Sequence, residues 1–253
     1  MKKWTLAVVA FAVVVSASAA EKKTKKAAEA AAPAPAFKTA LSAGLMLTDG
    51  NSETLAANAA LKTEGEKPGL GSVLAGIEAN YGESTVDDVK DTTVENAKAY
   101  ANAKKTLSPK TFVSLDVSAL YDDVAEIDYR ATVGPGLGFY VVKSEERMLS
   151  LEAGPSYVWE KVGGETADYL ALRFAERHEC QALPNAKLVQ SLEYVPEAED
   201  FDNYRLTGEV GVEAAMSERL GLRVVLQDKY ENRPAAGKER NDLSLIAGLT
   251  IHL

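Results

Sequence analysis

From residue 37 to the end of the chain, hydrophobic and polar residues alternate with a period of two. The last segment has it most plainly: Leu243, Leu245, Ala247, Leu249, Ile251 and Leu253 interleave with Asp242, Ser244, Gly248, Thr250 and His252. Leu206, Gly208, Val210, Val212 and Ala214 alternate in the same way with Arg205, Thr207, Glu209 and Glu213, and Val113, Leu115, Val117 and Ala119 with Ser114, Asp116 and Ser118. This is the period of a strand whose two faces meet different surroundings. No stretch past residue 37 carries an apolar helical stripe with caps. Turn signals divide the chain into about twelve strands: 38–48, 53–64, 72–82, 92–105, 111–121, 128–142, 148–160, 168–182, 187–195, 203–216, 220–231 and 242–253. Many exceed the roughly five or six residues usual in soluble sheets and suit a tilted membrane strand of about ten residues. The pattern predicts an all-β fold, an antiparallel transmembrane β-barrel of about 12 strands. A soluble periplasmic sandwich or barrel also alternates and is the competing reading.

The connections fall into two classes, which favours the membrane barrel. One class is compact: 65–69, 107–110, 143–146, 183–186 and 217–219. The other is acidic, with Asp87, Asp88 and Asp91, then Asp122, Asp123 and Glu126, then Glu197, Glu199, Asp200 and Asp202. An even strand count puts both termini on one side. If that side is the periplasm, the acidic class lies outside. Alternation then assigns the apolar series to lipid. The interior is expected to be lined by Lys98, Asp116, Arg130, Glu152, Arg173, Arg177, Arg205, Glu209, Glu213 and Arg223, with Glu78, Glu193 and Lys229. Both signs of charge occur in similar number, so the lumen is either a paired polar plug or a thin water path.

The N-terminus adds export. Lys2 and Lys3 precede a short apolar run from Trp4 to Val15, and Ala17-Ser18-Ala19 has the small-x-small form of a cleavage site. Residues 1–19 are expected to be a signal peptide. Residues 20–36, rich in Lys, Ala and Pro, are expected to be a disordered tether, and 37–253 the barrel. The chain of 253 residues has formal charge −9, which argues against a nucleic-acid partner. The single cysteine, Cys180, excludes an internal disulfide framework. A closed sheet in lipid supplies stability instead, because all its backbone groups pair.

Several stretches together carry a resemblance. They are Gly134-Pro135-Gly136-Leu137-Gly138-Phe139-Tyr140 followed by 149–157, the strand running into Thr48-Asp49-Gly50-Asn51, and 228–234 leading to Asp242 and the closing Gly248-Leu249-Thr250 strand. In order and spacing they resemble the salt-induced outer membrane protein family, YdiY-like, with domain of unknown function 481. The resemblance spans about residues 38–253. It implies a barrel in the cell outer membrane associated with salt or acid stress, structural or a narrow passive channel. It implies no catalytic residues and no cofactor. Its expected surroundings are outer-membrane lipid, lipopolysaccharide and the barrel-assembly machinery. The chain ends in Leu253, where many outer-membrane proteins end in Phe.

Other chemistry is sparse. The histidines are His178 and His252. A lipid-modifying hydrolase would need His178 as base, but its neighbour Glu179 points to the opposite face of a strand and is a poor orienter. The acidic loops offer hard oxygen ligands, so divalent cations are candidate partners there. Asp49-Gly50-Asn51-Ser52-Glu53 lacks calcium-loop spacing and reads as a tight turn. Gly134, Gly136 and Gly138 lack phosphate-loop spacing. On one strand face, with Gly154 in the next strand, they are expected to mark curvature or room for inward-reaching neighbours such as Arg173.

Overall fold

The computed structural model describes residues 36–48, 53–67, 70–86, 89–144 and 146–253. The segments read as signal peptide and tether, apart from Ala36, and the turn at 49–52 lie outside them. Twelve strands form one closed antiparallel barrel: β1 (Ala36–Thr48), β2 (Glu53–Lys67), β3 (Gly71–Val86), β4 (Val89–Thr106), β5 (Thr111–Asp122), β6 (Ile127–Lys143), β7 (Arg147–Val162), β8 (Glu165–Leu183), β9 (Ala186–Pro196), β10 (Tyr204–Ala215), β11 (Leu220–Glu231) and β12 (Asn241–His252). Each pairs with its sequence neighbours, and β1 closes on β12. The start of β1 and the end of β12 share one end of the barrel, here the terminal end. The other is the far end.

Several strands outrun the apolar alternation. β3 continues to Val86 and β4 begins at Val89, because Glu83, Ser84 and Thr85 pair with Thr92, Asp91 and Lys90 beyond the last apolar rows. The backbone ladder needs no apolar side chains, so it persists where the hydrophobic pattern stops. Gly65, Glu66 and Lys67, read above as part of a turn, belong to β2 and pair with Val73, Ser72 and Gly71. At the far end, β7 and β8 are joined by Gly163 and Gly164. Both have positive φ, 58° and 82°, as a two-residue hairpin of the twist-matching kind requires.

Register fixes which residues share a face. Large apolar side chains point outward, among them Leu45, Ile77, Leu137, Val210 and Leu245. Aromatic residues cluster outside toward the far end: Tyr157 with Trp159, and Phe174, Tyr194, Tyr204 and Tyr230 in series with centroids 5.5–6.3 Å apart. An apolar band with an aromatic belt is the exterior of a membrane barrel.

The β6–β7 ladder has a gap besides its two bulges. Pairing runs to Val133↔Tyr157 and resumes at Leu137↔Ala153. Pro135 and Pro155 lie in the gap, and neither has an N–H to donate. The two backbones close tightly there: a Cβ on Gly154 would stand 2.0 Å from the Pro135 carbonyl oxygen.

Candidate functional site

The interior has two unlike walls. On the β5–β8 side several inward residues are buried and the rest half-buried. Phe112 and Val158 are fully enclosed, and Ser114, Arg130, Ser150, Glu152, Ser156 and Glu160 are nearly so. Gly138 lies flat under Phe112, whose ring carbon would be 2.0 Å from an added Cβ. The ring packs on Tyr140 at 4.8 Å and lies under the Lys104 ammonium at 4.5 Å. Gly136 makes room in the same way for Ser114 and Glu152. The glycine row therefore holds Phe112, Ser114 and Glu152, and Arg173 reaches that space only through its bond to Glu152.

Two ionic clusters fill this side. In the first, Arg173 Nη1 donates to Glu152 at 2.6 Å and Nε to Glu193 at 2.6 Å, with Asp116 at 3.8 Å. Glu152 also accepts from the Ser114 hydroxyl at 2.7 Å and faces Lys104 at 3.5 Å. In the second, nearer the far end, Arg130 Nε donates to Glu160 at 2.5 Å, while its Nη atoms hold both carboxylate oxygens of Glu231. Arg205 joins through Glu160 at 3.8 Å and the Tyr169 hydroxyl at 2.6 Å. Glu231 belongs to β11 and Arg130 to β6, strands five places apart around the ring, so this bidentate pair crosses the bore. A fork-on-carboxylate contact makes two charge-assisted hydrogen bonds at once, each stronger than a neutral one.

Residues 232–240 extend the closure. Lys238 reaches Glu126 on the β5–β6 turn at 3.2 Å, and Arg233 reaches Asp200 at 2.5 Å. Ala235 is buried, close to Gly163 of the β7–β8 turn. The β11–β12 connection thus lies over the far mouth. Across the bore, β12, β1 and β2 carry a stretch of small inward residues, Ser244, Gly248 and Thr250, then Ala40, Ser42 and Gly44, then Asn58 and Ala60, beside the larger Ile246, Lys62 and Glu64. Ser42 and Thr250 share a hydrogen bond of 2.8 Å. Ala40, Ser42, Gly44, Asn58 and Ala60 are half-buried, unlike the enclosed residues of the opposite wall.

The ten residues named for the interior share the inward face. Arg130, Glu152, Arg173, Asp116 and Arg205 enter the two clusters. Arg177 is tied to Glu179 at 2.8 Å, and Glu213 lies 3.5 Å from Lys187 and 3.7 Å from Arg223. Glu209 accepts from Gln227 at 2.5 Å, and Lys98 pairs with Glu78 in register. Sequence reasoning passed over Lys104, Glu160, Lys187 and Glu231, although each has the inward parity of its strand. Their role depends on which side chains the closed ring brings together, and parity does not encode that. Glu179 points inward, while His178 faces outward with Glu176. Among the described residues, no group of three or more His, Cys, Asp or Glu side chains is arranged to hold a metal ion.

The NanC porin aligns with 86% of this chain and 100% of its own, at TM-score 0.53 and 10% identity. The COG4313 outer membrane channel from Pseudomonas putida F1 aligns with 91% of this chain and 100% of its own, at TM-score 0.52 and 10% identity. At such identity the likeness is one of fold: a closed outer-membrane type of barrel. Comparison with curated proteins finds no match. The profile of the family described as "Protein of unknown function, DUF481" matches residues 41–252, and with nearly the whole barrel inside that match, the chain belongs to this family.

Proposed function

We propose that the protein is a passive, narrow channel of the outer membrane whose water path follows the small residues of β12, β1 and β2. The observation that carries this reading is the contrast between the walls: one packed with paired charges, the other small and half-open. Mixed charge along a narrow bore passes small ions and polar solutes with little preference of sign. The terminal end faces the periplasm in this reading and the mouth under residues 232–240 faces outward. The chain has no catalytic task.

The bidentate Arg130–Glu231 tie and the loop over the far mouth favour a second state, closed or nearly so. The exposed ties of this loop, Arg233 to Asp200 and Lys238 to Glu126, weaken as salt rises, because screening shortens their range to about 8 Å near physiological strength. A channel held narrow by such ties opens further in salt, which accords with the salt-stress role that the family resemblance implies. The test is conductance of purified, folded protein in planar bilayers over a range of salt. Discrete steps whose conductance rises more steeply than that of the bulk solution support the channel. No steps in folded protein at any salt would leave a sealed structural barrel.

A further inference from the structure

The outward face of β1–β5 carries a groove at the terminal end. Its cavity, about 490 Å³, is lined by Phe37, Leu70, Val73, Ala103, Val113 and Leu115, and its size falls among those of small-molecule pockets, about 300–1,000 Å³. The groove exists because small residues stand between large ones. Phe37 folds over Gly65, where a Cβ would meet the ring at 2.7 Å. Register then sets Gly65 beside Val73, Val73 beside Ala103 and Ala103 beside Leu115. One row nearer the terminal end, Lys67, Gly71 and Lys105 lie side by side, all outward. Gly71 leaves no side chain between the lysines, and a Cβ there would strike the Lys104 carbonyl oxygen at 1.9 Å. With strands about 4.8 Å apart, the two stems start about 10 Å from each other, a gap that two extended ammonium groups can close upon one anion.

This row is the terminal edge of the outward apolar band, and its charges are not answered by acids. Glu64 and Glu66 of β2 have the inward parity, and they meet Lys62 at 3.1 Å and Lys143 at 3.4 Å. The bordering turns, 68–70 and 107–110, contain no acidic residue and add Lys110. Among the described residues neither Lys67 nor Lys105 forms an ion pair, whereas Lys161, outward at the far end, holds Asp128 at 2.6 Å. Arg147, also outward at the terminal end, begins β7 and lies beyond the groove.

We infer that the groove binds an anionic phospholipid of the periplasmic leaflet, with the phosphate between Lys67 and Lys105 and an acyl chain laid over Ala103. The inference rests on the outer-membrane reading above and on its orientation, terminal end to the periplasm. A groove on the lipid face is filled from the bilayer, so its occupant is a lipid. The lysines choose which lipid. They stand where the apolar band ends, at the depth of the head groups, and lysines so placed attract anionic lipid. A zwitterionic head group would bring its ammonium among these lysines with no carboxylate to receive it.

Native mass spectrometry of the folded protein, released from detergent containing equimolar phosphatidylglycerol and phosphatidylethanolamine, tests this, with heat-modifiable gel migration as the check on folding. The wild type is expected to retain phosphatidylglycerol in preference. Lys67→Gln and Lys105→Gln are each expected to lower that preference about fivefold, and the double variant to abolish it. Ala103→Phe, which suits lipid but fills the groove, is expected to lose the bound lipid although both lysines remain. Lys161→Gln at the far end is expected to behave as the wild type. Equal retention of the two lipids by folded wild type overturns the inference, and so does a preference that survives the double variant. A second competition in which lipid A displaces phosphatidylglycerol overturns it too, because lipid A belongs to the opposite leaflet. Recovery of the native protein in the soluble fraction without detergent, with no heat-modifiable band, would instead defeat the outer-membrane reading itself.

Discussion

The two walls of the bore come from the same alternation, yet one is packed and the other half-open. On the β5–β8 side the inward positions hold long charged residues and Phe112, with glycines beneath them as sockets. On the β12–β1–β2 side many inward positions hold Ala, Ser, Gly and Thr, with Asn58, Ile246 and the Lys62–Glu64 pair among them. Strand tilt and closure are common to both walls, so the difference lies wholly in side-chain volume and pairing. Side-chain size on each wall therefore sets the bore here, as well as strand number. The seam supports this division: β1 meets β12 over only four residue pairs, Ala40–Ala43 with Leu249–His252, whereas β1 and β2 pair along all thirteen residues of β1.

The sharpest break of the comparison is steric. In Gly154→Val the new carbons meet the Pro135 carbonyl and the Gly136 backbone, which cannot yield as a flexible side chain would. The barrel is expected to lose its heat-modifiable band. Gly208→Ala, whose Cβ has only the Leu192 methyl at 3.7 Å, is expected to fold normally. Next comes the ionic core of the packed wall. Arg173→Ala leaves Glu193 and Asp116 without their cation and Glu152 with Lys104 alone. A urea titration is expected to register a loss of about 3 kcal/mol, at the lower end for a broken buried pair because water reaches part of the cluster. Ser42→Ala on the open wall loses one half-buried hydrogen bond to Thr250, with an expected cost of about 1 kcal/mol or less. Equal losses in these two variants would abolish the distinction between the walls.

Two smaller effects concern transport. Arg130→Ala cuts the tie to Glu231 and widens the far constriction. Single-channel conductance is expected to rise roughly twofold or more. An unchanged conductance would show that the tie does not constrict the bore. Ala60→Leu adds bulk to the open wall without touching an ion pair. It is expected to lower conductance and shift the urea midpoint little, since a half-buried position facing water has room for it. A conductance equal to wild type would move the path away from this wall.

Much of this was legible in the sequence. Period two, turn signals and strand length predict twelve strands, and the inward parity of Arg130, Glu152 and Arg173 follows from alternation alone. Strand ends were less legible, because the ladder through Glu83–Thr85 and Lys90–Thr92 rests on backbone bonds that carry no hydrophobic signature. The sockets under Phe112 were half-legible. Glycines at alternate positions announce a need for space, but which ring fills it is decided by the neighbouring strand's register. The cross-bore pair of Arg130 and Glu231 was not legible. The residues are 101 apart in sequence, and only closure of the ring brings them within reach. Which of His178 and Glu179 faces outward became visible only once register was fixed.

The central claim, that water runs along the small-residue wall and not the charged one, is tested most directly by thiol labelling. In a Cys180→Ala background, Ser42→Cys stands on the half-open wall and Ser156→Cys on the wall where the native serine is 4% exposed. A small, charged, water-soluble methanethiosulfonate reagent is then applied to folded protein in bilayers. Rapid labelling at position 42 with a drop in conductance is expected, and slow labelling without effect at position 156. Labelling of both at similar rates, or of position 156 alone with loss of conductance, would contradict the claim.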